Sequence, residues 1–407
     1  MTSSTDGVLP PFRGGRMMVL AGGVGAAGLV ATLAVGLVGG DEARRQAWAS
    51  YLFGFTYWAG VAVCALIWLC AFHAVKARWV VVVRRALELM AASVGVFIPL
   101  LLPVLVGLRA LYPWVDMETY LATLAPHARH AMEVKRAWFS EGFFLLRQVL
   151  YFATWVVVAE LLLRWSRAQD EGQAPLLTRR QRLLGPVALP PLALTLTFAS
   201  VDWLMGLEPL FFSTIYGVYY FAGSFLGALA VLTLLALRAE GEGAFGRLVT
   251  PPHLHSLGKL LLAFTVFWAY VAFSQLLLTW IANLPEEVPY YLRRWEGGWQ
   301  GASWMLLLAH FAVPFLALLP RARKWDRRYL GAVCMWLLAV HALDLYWLVM
   351  PAFRAGTGMG PRITDVTAWL GVGGLAVAFG FWRARGGYTA PVADPFLGDS
   401  LAYTTPL

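Results

Sequence analysis

Long apolar runs alternate with short polar connections that carry most of the arginine and lysine. Runs of about 20 apolar residues are long enough to cross the hydrocarbon core of a bilayer as helices. Ten are read: Met17–Val38, Ala47–Ala71, Ala86–Leu108, Gly142–Leu163, Leu183–Leu204, Phe211–Leu237, Leu257–Ile281, Gly301–Leu319, Tyr329–Met350 and Val366–Trp382. The pattern predicts an all-α integral membrane domain over residues 17–385, between polar tails 1–16 and 386–407. The second tail bears prolines without helical periodicity and reads as extended. The first run has glycines throughout and no small-x-small cleavage site after it, so it reads as a span rather than a signal peptide.

Composition agrees with this pattern. Of 407 residues, 59% are hydrophobic and 14% charged, far from the balance of a soluble domain. The formal net charge of +9 does not point to nucleic acid, because no basic run is interleaved with aromatics. The charges instead sort by side. One set of connections holds Arg13 and Arg16, Lys76 to Arg85, Arg164 to Arg182, Arg238 to Lys259, Arg321 to Arg328, and Arg383 with Arg385. The alternate set holds fewer, among them Arg44, Arg45, Arg109, Arg129, Lys135, Arg136, Arg293, Arg294, Arg354 and Arg362. The bias places both termini in the cytoplasm, which needs an even number of crossings.

Covalent and cofactor chemistry find little footing. Cys64, Cys70 and Cys334 sit inside apolar runs, without CxxC spacing or a CxxCH haem-attachment motif, and read as small hydrophobes. No phosphate-binding loop, dinucleotide fingerprint or HExxH motif is present. His253 and His255, beside Pro251 and Pro252, read as a solvated inner loop, and the glycine-rich string 241–243 as another.

The informative residues are ionisable groups inside the spans. An acid at membrane depth costs roughly 2.5–3.5 kcal/mol on insertion scales, so its default reading is functional, with a partner to be found. Counting about 1.5 Å per helical residue gives depth. Arg147, Asp202, His341 and Asp344 fall in the outer half, His310 near the middle, and Glu88 and Glu160 in the inner half, with His73 at the inner end of the second span. His341 and Asp344 are three apart and share a helix face. A carboxylate beside an imidazole raises its pKa while burial lowers it, which leaves a group able to exchange protons near neutral pH. The alternative is a structural His–Asp hydrogen bond. Arg147, the only arginine within a span, is placed to neutralise Asp202 or Asp344. Glu160 precedes Arg164 by four, and Glu88 follows Arg84 by four and Arg85 by three, so each also has a local salt-bridge partner. His310 and His341 at similar depth would also permit haem ligation. The corner at Phe198–Phe225 carries Asp202, Glu208 and Pro209; its acids either serve chemistry or cap the next helix.

At this corner the sequence SVDWLMGLEPLFFSTIYGVYYFAG, Ser200–Gly223, resembles the signature of the NrfD-like integral membrane subunits of bacterial alternative complex III, nearest the second, ActF-type paralogue. HALDLYWLVMP, His341–Pro351, is similar to that subunit's ninth helix. The resemblance covers nearly the whole chain. It implies two four-helix bundles flanked by two further helices, in the bacterial inner membrane. It implies a subunit without a redox centre of its own in a quinol:cytochrome c (or oxidase-linked) oxidoreductase. Haem c and iron–sulfur clusters would lie in partner subunits: a multihaem cytochrome c, an iron–sulfur subunit and a second NrfD-like subunit. Asp202, His341 and Asp344 match its motifs, whereas Glu88, Glu160, His310 and Arg147 join them on depth alone. Together these seven outline proton half-channels. Relatives tend to have His-Trp-Tyr after Glu-Pro, where this chain has Leu210-Phe211-Phe212.

Three other readings stay open at this level. Asp202, His341 and Asp344 would line a quinone site open to lipid in an NrfD/polysulfide-reductase-type anchor. A secondary transporter would show broken helices in matching halves, and Pro190-Pro191 supplies a break in the fifth span without a counterpart in the ninth. A scaffold for partner subunits needs none of this chemistry.

Overall fold

A computed structural model of the chain describes residues 14–172, 174–239, 248–354 and 358–405. The expected amino-terminal tail up to residue 13 and the loop at 241–243 lie outside them. Among the described residues there are helices and no strands. Ten helices are long and apolar enough to cross a membrane: Gly15–Val38, Asp41–Ala74, Val81–Val106, Glu141–Asp170, Pro175–Leu207, Tyr216–Arg238, Pro251–Ala282, Gln300–Leu318, Arg327–Ala352 and Ile363–Ala384. The protein is an all-α, multi-pass integral membrane protein. Observed helices extend past the apolar runs because their polar ends stay helical.

The second to fifth spans close one four-helix ring, each packing on its neighbours, and the sixth to ninth close another. The second span is the hub. It is buried almost throughout, because it faces the third and fifth spans, the sixth span across the bundle boundary, and the tenth. The first and tenth spans form the flanking pair. Their backbones approach closely because glycines face each other: a Cβ on Gly28 would lie 2.5 Å from the Thr367 carbonyl oxygen, and one on Gly371 would lie 2.8 Å from the Leu29 nitrogen. Small residues at a helix crossing let dispersion and backbone contacts replace the missing hydrophobic drive in lipid.

Three expectations about local structure are corrected. Pro186, Pro190 and Pro191 do not break the fifth span, which is helical from Ala174 to Trp203. Prolines are tolerated inside membrane helices, and one turn further on the Thr195 hydroxyl donates to the Pro191 carbonyl at 2.7 Å. His253 and His255 are not in a solvated loop. They occupy the first turn of the seventh span and are buried, His253 forming a capping box with Thr250. The tail after Gly386 is not a free extended segment. It lies as a strap across the inner ends of both bundles. Asp394 is bound to Arg84 at 2.5 Å and Ser400 takes the Val82 amide, while the Ser400 carbonyl meets His253 and Tyr403 meets Ser256.

The eighth span carries a π-helical stretch, Leu306–Ala312, which includes His310. On the outer face short helices occur at Met117–Ala122, Pro126–Val134 and Val288–Trp295.

Candidate functional site

Each bundle holds one acid in its outer half, and the two are satisfied differently. In the first bundle Asp202 lies in the last α-helical turn of the fifth span, 2% exposed. Arg147 of the fourth span grips it through Nη2–Oδ1 at 2.8 Å and Nε–Oδ2 at 2.9 Å. Gln148 Nε2 and the Tyr151 hydroxyl donate to Oδ2 at 3.1 and 3.0 Å. The guanidinium also donates to the Trp138 carbonyl and stacks on the rings of Trp138 and Phe143. Trp203 Nε1 fixes Gln148 from the other side at 2.8 Å. Of the two acids open to Arg147, it takes Asp202. Neither Asp202 nor Glu208 caps the sixth span, which starts only at Tyr216.

In the second bundle Asp344 is 1% exposed, and among the described residues no arginine or lysine bridges it. The Tyr219 hydroxyl donates to Oδ1 and Trp268 Nε1 to Oδ2, the latter at 3.1 Å. His341 Nδ1 lies 3.8 Å and His310 Nδ1 4.0 Å from Oδ2. Four spans thus converge on one carboxylate: the sixth, seventh, eighth and ninth. The His310 ring stacks on Trp268 with centroids 3.8 Å apart, and Tyr57 of the second span lies against His341. Gly223 makes this approach possible, since a Cβ there would sit 3.0 Å from both Asp344 Oδ2 and His341 Cε1.

A lone carboxylate without a cation is very unfavourable in a low-dielectric interior. Here its two oxygens are met by the Tyr219 hydroxyl and Trp268 Nε1, and among the described residues no ring nitrogen of His310 or His341 has a hydrogen-bond partner.

Towards the outside a line of tyrosines leads away from Asp344. Tyr219 and Tyr216 are one turn apart on the sixth span. The Tyr216 ring meets that of Tyr290, on the outer helix Val288–Trp295, edge-on with centroids 6.5 Å apart, and neither hydroxyl has a hydrogen-bond partner among the described residues. Burial pushes the Tyr290 hydroxyl well above its ordinary pKa, so it stays a proton donor. Beneath it Arg294, wholly buried, donates to Glu208 Oε1 at 2.8 Å and stacks 3.5 Å from the Tyr290 ring centre. Tyr290, Glu208 and Arg293 line an outer cavity of about 700 Å³, shared with Arg44, Arg45 and Arg109. Towards the inside the same face of the ninth span continues as Leu337, Cys334 and Leu330, all buried and apolar.

The inner acids are each paired. Glu88 is held by Arg84 at 3.0 Å and Arg85 at 3.3 Å, and these in turn by Asp394 and Asp170. Glu160 meets Arg383 at 2.8 Å and Arg164 at 3.6 Å. His73 is buried at the inner end of the second span. The structure thus brings His310, His341 and Asp344 together and leaves Asp202 with Arg147 in the other bundle. Among the described residues no hydrogen bond or ion pair joins Asp202 to His341 or Asp344. The His310 and His341 rings lie with centroids 6.3 Å apart, both Nδ1 atoms on the Asp344 side and the Trp268 ring over His310.

Sequence reasoning missed Tyr219, Trp268 and the Glu208–Arg294 pair. It also missed a buried network in which Arg354 binds Asp365 at 2.8 Å and Gln46 Oε1 at 2.8 Å, joining the outer ends of the second, ninth and tenth spans. Asp365, in the first turn of its helix, looks like an ordinary N-terminal acid in the sequence. No protein-family profile matches the chain, and no curated protein matches it either.

Proposed function

We propose that the protein is a multi-pass subunit of a quinol-oxidising respiratory complex of the bacterial inner membrane, carrying no redox centre itself and moving protons at Asp344. The resemblance of Ser200–Gly223 and His341–Pro351 to NrfD-like subunits of alternative complex III supplies the setting. On that reading, haem c and iron–sulfur clusters belong to neighbouring subunits, and quinol is oxidised elsewhere in the assembly.

The observation that carries the proton role is the environment of Asp344: buried, free of any arginine or lysine bridge among the described residues, and faced by two imidazoles, a phenol and an indole. His341 and His310 exchange the proton with the carboxylate, and Tyr219, Tyr216 and Tyr290 form the route to the outer cavity. Asp202 with Arg147, Glu88 with Arg84 and Arg85, and Glu160 with Arg383 act as fixed charges that shape the field around that route. Asp344→Asn in the assembled complex tests this. Proton uptake and release coupled to quinol turnover should be lost while the complex stays intact; coupling at the wild-type ratio overturns the role.

A further inference from the structure

Between the second, third, sixth and tenth spans, the helices leave an apolar groove open to the membrane. The second span forms its floor with Trp58 and Ala62; the third contributes Ala86, the sixth Leu235, and the tenth Gly380 and Ala384. Small side chains at Ala62, Ala86, Gly380 and Ala384 make the channel. Its one hydroxyl, Ser93 Oγ, is already donated to the Met90 carbonyl at 2.6 Å. The lining therefore offers hydrocarbon contacts and no polar anchor.

The groove has a direction. Ala384 ends the tenth span on the arginine-rich face, and Ala376, also in the lining, lies eight residues deeper. At about 1.5 Å per residue this is roughly 12 Å, close to one leaflet of a ~30 Å hydrocarbon core. Two arginines follow lining residues at that end in the chain. Arg385 directly follows Ala384, and Arg238 lies three residues after Leu235, on the same helix face. Both are exposed, and among the described residues neither has an ion-pair partner. Their neighbours are engaged: Arg383 binds Glu160, and Arg167 donates to the Arg383 carbonyl.

We infer that this groove binds one acyl chain of an anionic phospholipid of the inner leaflet, with its phosphate between Arg238 and Arg385. Long arginine side chains reach the interface from helix ends, and juxtamembrane cations favour anionic headgroups. The site is independent of the proton reading, which uses the other end of the second bundle.

Native mass spectrometry of the full chain in detergent tests it, with phosphatidylglycerol and phosphatidylcholine of identical chains as probes. The wild type should retain phosphatidylglycerol about tenfold more than phosphatidylcholine. The double variant Arg238→Gln, Arg385→Gln should drop phosphatidylglycerol to the phosphatidylcholine level. Gly380→Leu, which fills the groove, should release both; should it fail to fold, Ala376→Leu serves. In addition, chains brominated at mid-length should quench Trp58, read as the difference from Trp58→Phe. Equal retention of the two headgroups, retention unchanged by the arginine pair, or displacement of phospholipid by an uncharged isoprenoid quinone each overturns the assignment.

Discussion

Asp202 and Asp344 sit in corresponding outer positions of the two bundles, each followed within a turn by a tryptophan. In the first bundle the arginine comes from within the ring of helices and closes on the acid. In the second, the arginine comes from the outer helix Val288–Trp295, binds Glu208 and donates Nε to the carbonyl of Trp347, and never reaches Asp344. One carboxylate ties two spans together through an arginine, while the other is met by a phenol and an indole with two imidazoles about 4 Å away. The same residue type in the same kind of helix thus gains opposite surroundings from where its cation is spent.

The sharpest test of that contrast is removal of the cation. Arg147→Met leaves Asp202 buried and unpaired, and a buried pair broken from one side costs about 3–5 kcal/mol. Thermal unfolding in detergent should show it as the largest loss among these variants. Gly223→Ala comes next. Its new methyl meets Asp344 Oδ2 and His341 at 3.0 Å, and overpacking of this kind costs about 1–3 kcal/mol. Asp344→Asn should cost no more than ~1.5 kcal/mol, the worth of an ordinary hydrogen bond, because no guanidinium loses its counter-ion. Equal unfolding losses for Asp344→Asn and Asp202→Asn would erase the distinction between the bundles.

Smaller still is Tyr219→Phe. Loss of one hydrogen bond near 1.4 kcal/mol slows proton release about tenfold in a stopped-flow pH-indicator measurement, with stability little changed. An unchanged rate would remove the tyrosine route. The smallest effect concerns the outer rim. Burial, with Glu286 beside it, pushes the Glu287 carboxyl above its ordinary 4.5, while Lys135 pulls it back. The folded chain then holds this proton more tightly than the unfolded one. Its stabilising contribution is complete below about 4.5 and fades as pH rises through the raised value. Glu287→Gln should flatten that slope in unfolding midpoints taken across mildly acid pH.

The ten spans were legible because hydrocarbon thickness dictates run length, and run length is visible in a bare sequence. Departures came where local rules compete with tertiary support. Pro190-Pro191 looks like a break, yet the span stays helical from Ala174 to Trp203, as prolines in membrane helices are tolerated. The prolines beside His253 read as a loop, although Pro is well suited to a first helical turn. At the site, His341 and Asp344 could be paired from spacing alone, since three residues make one face. Tyr219 and Trp268 could not, because an aromatic in an apolar run looks like packing until folding turns its polar atom toward a charge. Arg294 and Glu208, 86 positions apart, meet only once the outer helix is laid over the corner after the fifth span.

The strap over the inner face bears on the order in which the molecule is completed. Asp394 and Ser400 come after all ten spans, yet they finish surfaces on the third and seventh. A nascent chain with every helix already inserted would still hold Arg84 short of one of its two carboxylates. Closure of the arginine-rich side is therefore a late event in biogenesis, and a protease cutting just beyond Gly386 would undo it without touching the membrane part.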